Sequence, residues 1–191
     1  PVLARFALSD AAVTPVGGGH INRSWKVVPR SAFRGRAQHA AAKAFLLQRI
    51  NPEVFPDGKL VLQNVAAVCD HLLASASRVG LDHLERRVMQ VVRAPGGEAG
   101  ILGDDGAWWR ILRYIDDAVA FQRAESPGMA YEAGRAYGVF QRLLADYDGP
   151  MLGETIPGFH DTRLRLERLR EAVSRDVSGR ATEVASEVRF A

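Results

Sequence analysis

The sequence predicts an α+β protein: a small antiparallel sheet that carries one helix, followed by an all-helical segment. Three features predict this fold class. Two strand-like runs flank a glycine cluster within Val13–Val28, two further strand-like runs at 44–50 and 107–115 enclose an amphipathic helical pattern, and mainly helical patterns follow. We therefore divide the chain into residues 1–115, an α+β lobe, and residues 116–191, the start of an incomplete helical lobe.

The composition is typical of a globular protein with a buried core. Of the 191 residues, 47% are hydrophobic and 25% are charged. The formal charge of +3 is mild and spread along the chain, so it suits an anionic small molecule and does not indicate nucleic acid. The single cysteine, Cys69, excludes an internal disulfide. No apolar run is long enough to span a membrane and no signal peptide is recognised, so we expect a cytoplasmic protein without a membrane partner.

Residues 1–10 predict a short helix or arm, and a β-hairpin is predicted after them. The glycine run 17–19 lies between the strand-like segments Val13–Val16 and Trp25–Val28. Glycine adopts positive φ without steric cost, so it suits a hairpin tip, where backbone N–H groups could also approach an anion. On its own, the glycine run favours an ordinary flexible turn, and only the order of the following elements makes it informative.

The first lobe continues with a loop, a strand, a helix and two more strands. Pro29–Lys43 is polar and basic and predicts a mobile loop, whereas Ala44–Ile50 predicts a strand. Apolar residues recur every three or four positions from Lys59 to Ala74, which predicts an amphipathic helix with one buried face. The last two runs predict strands over Arg86–Val92 and Ala107–Ile115.

Helical patterns dominate the second lobe. Met129–Asp146 predicts one helix, and Arg163–Val177 predicts another with Asp161 or Thr162 as its N-cap. A last helical pattern begins near Ala181. The apolar faces of the two long helices are predicted to consist of Tyr137, Phe140, Leu143 and Leu144 in the first and Leu166, Leu169 and Val173 in the second.

The order of these elements is that of a kinase-like nucleotide site. In phosphoryl transfer the protein mainly positions groups and neutralises charge. A glycine tip covers the phosphates, a cation on the third strand reaches them, and a residue on the following helix holds that cation in place. The segment that joins the two lobes offers backbone N–H and C=O groups to the adenine.

The residues that fill this order resemble the aminoglycoside phosphotransferase/choline kinase superfamily, which has the protein-kinase-like fold. Within it, the sequence is most similar to the N-acetylhexosamine 1-kinase-like sugar kinases. The similarity extends over nearly the whole chain and keeps the motifs in order. The matching segments are GGGHIN at Gly17–Asn22, FLLQRIN at Phe45–Asn51, VFPDGKLVLQNVAAVCDHL at Val54–Leu72, WWRILRYID at Trp108–Asp116, AGRAYGVFQRLLADYD at Ala133–Asp148 and ETIPGFHDT at Glu154–Thr162.

The resemblance implies that ATP binds to the first lobe. Asn22 would shape the return of a phosphate-covering loop. The place of the strand-three cation falls at Gln48 or Arg49, and strand alternation lets only one of them face the cleft. Charge favours Arg49, whereas the register of relatives favours Gln48. The phosphate-covering loop would consist of Gly17, Gly18, Gly19 and His20.

Three further assignments follow from the resemblance. The helix residue that would hold the cation is Gln63, so a Lys–Glu ion pair is not expected. The hinge that meets adenine would consist of Arg113, Tyr114 and Ile115. The sugar pocket would include Phe159, His160 and Asp161.

The implied reaction is ATP-dependent transfer of the γ-phosphate to a hydroxyl of a small molecule, such as an N-acetylhexosamine, with Mg²⁺. The family's catalytic loop, His-x-Asp followed by Asn, and its acidic metal ligand do not occur in residues 1–191. His160 and Asp161 do not match this loop, because they are adjacent and the motif has one residue between His and Asp. The chain begins with Pro1 and stops at Ala191 within a helical pattern, so we expect a fragment with its catalytic residues and metal ligands beyond Ala191. A complete chain of this sequence would be inactive.

Two alternatives share this fold. One is a kinase for a cationic acceptor such as an aminoglycoside or choline, and the other is a non-catalytic nucleotide-binding module. In either case the expected partners are a nucleotide and a small molecule, and the sequence indicates no oligomeric state.

Overall fold

The computed structural model describes residues 2–30 and 44–190. The basic loop predicted at Pro29–Lys43 lies, from residue 31 onward, outside the described residues. The contacts within the chain define two compact units, Pro1–Thr155 and Ile156–Ala191, and each is described by itself. Residues 116–155 fall in the first unit, and the lobe boundary expected at residue 115 stays a prediction.

The first unit contains an antiparallel sheet, which confirms the predicted α+β class. The strand order is β1-β2-β3-β6-β4, and β5 pairs with β6. A 3₁₀ helix at Val2–Phe6 precedes the sheet. The strands are β1 (Ala11–Val16), β2 (Arg23–Pro29), β3 (Phe45–Arg49), β4 (Val91–Val92), β5 (Ile101–Leu102) and β6 (Trp108–Arg113), and the helices are α1 (Gly58–Arg78), α2 (Leu84–Arg87) and α3 (Pro127–Leu144).

The glycine-tipped hairpin is confirmed. β1 and β2 pair antiparallel from Ala11 opposite Pro29 to Val16 opposite Ser24. The loop of residues 17–22 connects them, and Gly18 has φ of +88°, a conformation that glycine adopts without strain.

The two faces of the sheet pack against different elements. One face, with Phe45 and Leu47 of β3, forms the larger core together with Phe6 of the 3₁₀ helix. The opposite face packs against α1, where Leu46 of β3 and Leu112 of β6 contact a cluster that includes Cys69. Side chains alternate between faces along a strand, so this packing assigns every other residue of β3 and β6 to the α1 side.

Helix α1 is the core helix predicted from the apolar spacing. Asp57 caps it by accepting a hydrogen bond from the backbone N–H of Leu60 at 2.9 Å. Gly58 lies so close to Trp108 that a Cβ there would be 2.8 Å from the indole Cδ1. By length and composition alone α1 could cross a membrane, but such a helix is weak evidence for a span, and here its apolar side contacts the sheet.

The prediction of a strand over Arg86–Val92 is wrong for the first half of that range. Residues Leu84–Arg87 form the short helix α2, and only Val91 and Val92 pair with β6. The partner strand explains the difference, because β6 ends at Arg113, whose backbone N–H donates to the carbonyl of Gln90. Beyond that point the described residues offer no neighbouring strand, and the chain satisfies its backbone groups locally.

Helix α3 packs against α1, but its predicted apolar face is only partly buried. Leu143 is buried in a cluster with Leu72 and Ala76 of α1. Tyr137 and Phe140 are exposed and stack on each other instead, with ring centroids 5.9 Å apart. The helical period correctly placed these residues near one another, but the first unit covers only the end of the stripe around Leu143.

The second unit consists of α4 (Thr162–Arg175) and α5 (Ala185–Phe190). Asp161 is the N-cap of α4, as predicted, because its Oδ1 accepts the backbone N–H of Leu164 at 2.9 Å. The predicted buried stripe of Leu166, Leu169 and Val173 is only half-buried in this unit. Two short helices offer too little neighbouring surface to bury it fully.

Candidate functional site

The hairpin tip and the end of β3 lie at the same end of the sheet. Arg23, the first residue of β2, is paired with Arg49, the last residue of β3. The side-chain Oδ1 of Asn22 accepts a hydrogen bond from the backbone N–H of Asn51 at 3.0 Å. The loop predicted to cover phosphates is therefore anchored beside the strand end predicted to face them.

The loop itself is open. Gly17, Gly18 and His20 are exposed. A Cβ built at Gly17 or Gly18 would meet no atom within 4 Å, and one at Gly19 would be 3.2 Å from the carbonyl oxygen of Asn22. Gly17 and Gly18 are thus not required for close packing, whereas a side chain at Gly19 would crowd Asn22. The backbone of all three is free of side chains that would keep a ligand away.

Gln48 lies on the α1 side of the sheet and joins three strands. Its Nε2 donates to Ser24 Oγ on β2 at 3.0 Å, and its Oε1 accepts from Nε of Arg110 on β6 at 3.0 Å. Ser24, Gln48 and Arg110 are direct neighbours in the strand register. We call these three residues the polar row.

Arg49 lies on the opposite face, which answers the question that alternation left open. Its Nε is 2.6 Å from Oδ2 of Asp105, in the turn before β6. The hydrogen bond from Arg49, with a second from the indole of Trp109, lowers the pKa of Asp105 to about 2. Of the two residues, Gln48 therefore faces α1, whereas the charge of Arg49 is paired on the opposite face. Their roles in nucleotide binding stay predictions.

Arg110 is the member of the polar row that sequence reasoning missed. Its Nη1 is buried and has no hydrogen-bond partner among the described residues. Burial lowers the pKa of this guanidinium, because desolvation disfavours the charged form. The alternation within Trp108–Arg113 shows that Arg110 and Leu112 share a face, but only the pairing with β3 places Arg110 beside Gln48.

Gln63, the helix residue predicted to hold the strand-three cation, makes no hydrogen bond to the polar row within the described residues. It is exposed on α1, and in the part of the chain that the structure describes its side chain bonds neither Gln48 nor Arg110. The α1 side chains that face the sheet are apolar, with Ala66 and Cys69 in the buried cluster. Burial raises the pKa of the Cys69 thiol to about 11, so it stays protonated near neutral pH.

The predicted hinge has fewer free backbone groups than expected. The N–H of Arg113 donates to the carbonyl of Gln90 at 2.9 Å, and the N–H of Tyr114 donates to that of Ala44 at 3.1 Å. Both donors are therefore unavailable to a ligand, because the sheet bonds extend past β6. Of the predicted hinge, Ile115 is half-buried.

A second cation, Lys26, lies on the α1 side near this hinge. The register places it beside Leu46, two positions from Ser24 along β2. Its Nζ is 3.2 Å from Oδ1 of Asp116 and 4.2 Å from the centre of the Tyr114 ring. Lys26 is thus already paired, in contrast to Arg110.

The predicted sugar-pocket residues lie in the second unit, where each has a local contact. Asp161 caps α4, and the carbonyl oxygen of Phe159 accepts a hydrogen bond from Arg165 Nε at 2.8 Å. The rings of Phe159 and His160 meet edge to face, with centroids 4.7 Å apart. Their part in substrate binding stays a prediction.

No protein-family model matches the chain. Within residues 2–30 and 44–190, no group of three His, Cys, Asp or Glu side chains is arranged to hold a metal ion.

Proposed function

We propose that this chain is the nucleotide-binding part of an ATP-dependent phosphotransferase that acts on a small-molecule hydroxyl, such as that of an N-acetylhexosamine. In this proposal residues 1–115 form a protein-kinase-like nucleotide lobe in the cytoplasm, and residues 116–191 begin the helical lobe. The resemblance of the motifs and their order along the chain support it. Phosphoryl transfer requires mainly positioning and charge neutralisation, which such a lobe can supply.

One observation carries the proposal. An open glycine loop is fixed to the end of β3 through Asn22 and Asn51, next to the polar row on the α1 side. Backbone N–H groups without side chains, above a strand that carries polar donors, suit the anionic tail of a nucleotide. An ordinary surface hairpin would not need an anchor at this place.

The described residues offer a hydrogen-bond donor for the phosphates of ATP but no set of ligands for its Mg²⁺. The unpartnered Nη1 of Arg110 is a donor without an acceptor, which is consistent with an anionic ligand nearby. The described residues offer no ready set of ligands for Mg²⁺. Mg²⁺ bound with ATP would neutralise charge on the transferring phosphates, and the resemblance places its protein ligands after residue 191.

Nucleotide binding is tested first by thermal unfolding of the chain with ATP, ADP and Mg²⁺. At a ligand concentration about 100 times Kd, binding adds about 2.7 kcal/mol to stability, which raises Tm by roughly 5–10 °C for a protein of this size. No shift with any of these ligands would contradict the proposal.

A matched pair of glycine variants then locates the nucleotide. Gly17→Val and Gly134→Val both place new atoms where a Cβ has no neighbour within 4 Å, one in the loop and one on α3. We expect the loop variant to lose the ATP-induced shift, because its side chain keeps the backbone away from the phosphates, and the α3 variant to keep it. Equal shifts in both variants would mean that the loop does not cover the nucleotide.

The acceptor is identified by an ADP-release assay with an N-acetylhexosamine, an aminoglycoside and choline, using the longest protein that the gene encodes. Release that depends on the sugar supports the proposed acceptor. ATP binding without transfer to any of them would favour a nucleotide-binding module.

A further inference from the structure

The α1 side of the sheet carries a positive charge that nothing described neutralises. The strand cations Arg23 and Arg49 lie on the opposite face by register, and Arg49 is paired with Asp105. Lys26 lies on the α1 side but is paired with Asp116. Arg110 therefore differs from Lys26 and Arg49: in the described ranges its side-chain hydrogen bond goes to a neutral amide, that of Gln48.

In the protein without a bound anion, the charge of Arg110 is unfavourable for stability. A guanidinium shielded from water loses hydration, and an amide dipole replaces only part of it. A buried donor without an acceptor adds a further penalty. Arg110 has both features, since its Nη1 is buried and unpartnered. An apolar residue in the same place would avoid this penalty, because the face that it shares with Leu112 packs against α1.

The same features favour binding of an anion. Arg110 as a whole is half-buried, so the side chain keeps some accessible surface. Low surrounding polarity strengthens the attraction between a guanidinium and an approaching anion. Gln48 fixes the orientation of the guanidinium through Nε, so the terminal nitrogens are the donors left for phosphate oxygens. Nη1 is buried in the free protein, so a phosphate reaches it only when the neighbouring side chains move.

We propose that Arg110, oriented by Gln48, is the cation that binds the phosphate tail of the nucleotide, in place of a charged residue on β3. This inference rests on the proposed function. Arg110 is the binding residue, and Gln48 is a positioning residue that acts through it. The chemistry recognised is that of a polyphosphate, so inorganic tripolyphosphate alone should bind to the same place.

The test is calorimetric titration of the chain with ATP, tripolyphosphate and adenosine. Two variants remove one arginine each: Arg110→Met on the α1 side, and Arg49→Met on the opposite face as the matched control. We expect Arg110→Met to weaken ATP and tripolyphosphate about 10- to 100-fold, the range for hydrogen bonds to charged groups. Adenosine should bind within about twofold of wild type, because it has no charge for Arg110 to meet. Arg49→Met should leave all three affinities within about twofold of wild type.

The outcomes separate this inference from the proposed function. If wild type binds ATP and Arg110→Met binds it equally well, or if Arg49→Met causes the same loss, the role of Arg110 is refuted and nucleotide binding stands. If wild type binds neither ATP nor adenosine, both fail.

A measurement on the wild type covers the case in which Arg110→Met does not fold. The Nε–Hε resonance of Arg110, assigned with Arg110→Lys, should shift when tripolyphosphate is added, and that of Arg49 should not. An unmoved Arg110 resonance at saturating tripolyphosphate would overturn the inference.

Discussion

The hydrogen bond between Gln48 and Arg110 leads to a prediction about the stability of the free protein. Gln48→Leu removes the acceptor for Arg110 Nε, and among the described residues no other side chain accepts a hydrogen bond from this guanidinium. The double variant Gln48→Leu/Arg110→Met replaces both groups by apolar side chains. We expect the single variant to be clearly destabilised and the double variant to be close to wild type or more stable.

The magnitudes follow from the state of each polar group. A hydrogen bond to a charged group contributes about 1.5–3 kcal/mol, so Gln48→Leu should lower the free energy of unfolding by about that amount. Arg110→Met removes a buried unpaired donor but leaves Oε1 of Gln48 without its donor, and the two effects nearly offset each other. The double variant leaves neither group unpaired, and such replacements are often neutral or stabilising. The two residues should therefore be coupled by about 2 kcal/mol.

Tryptophan fluorescence in a urea titration measures this coupling in the relevant part of the molecule. The three tryptophans, Trp25, Trp108 and Trp109, all lie in the sheet, so the signal reports on the first unit. Wild type, Gln48→Leu, Arg110→Met and the double variant are compared at one pH and ionic strength. Additive effects, within about 0.5 kcal/mol, would refute the reasoning, because they would mean that Arg110 does not depend on Gln48.

Three further predictions concern single contacts. Asn22→Ala removes the acceptor for the N–H of Asn51, which should lower stability by about 1–2 kcal/mol and speed amide exchange at Asn51. The pKa of Asp105 is lowered to about 2 from 3.8, so its pairing stabilises the protein above pH 4 and is lost as the pH falls toward 2. The pair is partly exposed, so Asp105→Asn should remove only about 0.5–1 kcal/mol of that acid-dependent stability in urea titrations. Asp161→Ala removes the N-cap of α4, which should cost about 1 kcal/mol and speed amide exchange at Leu164.

Each of these predictions has an outcome that contradicts it. Unchanged exchange at Asn51 in Asn22→Ala would mean that the loop is not anchored there. An equal loss of stability between pH 4 and pH 2 in wild type and Asp105→Asn would assign that loss to other carboxylates. Conservative Asp161→Asn, which keeps a capping oxygen, is the control for Asp161→Ala and should exchange like wild type at Leu164.

The sequence by itself determined the elements that depend on neighbours along the chain. The glycine run and its flanking apolar residues predicted the hairpin, and the spacing from Lys59 to Ala74 predicted α1. The cap of α4 was predicted at Asp161 or Thr162, and the structure shows Asp161. Each of these signals acts over a few residues: backbone φ at a turn, the helical period, and a side chain that bonds its own helix N-terminus. They needed no knowledge of what lies across the sheet.

Only the tertiary structure decided which side chains meet. Alternation showed that Gln48 and Arg49 point in opposite directions, but not which direction α1 covers, because that depends on packing between distant segments. The pairing of β3 with β6 then brought Arg110 beside Gln48, 62 residues apart in the chain. The end of β6 decided that residues Leu84–Arg87 form a helix, since a strand needs a partner for its backbone groups. The hydrophobic pattern and the turns restrict strand register. Which segments pair, and which face is covered, depends on residues that are distant in the chain.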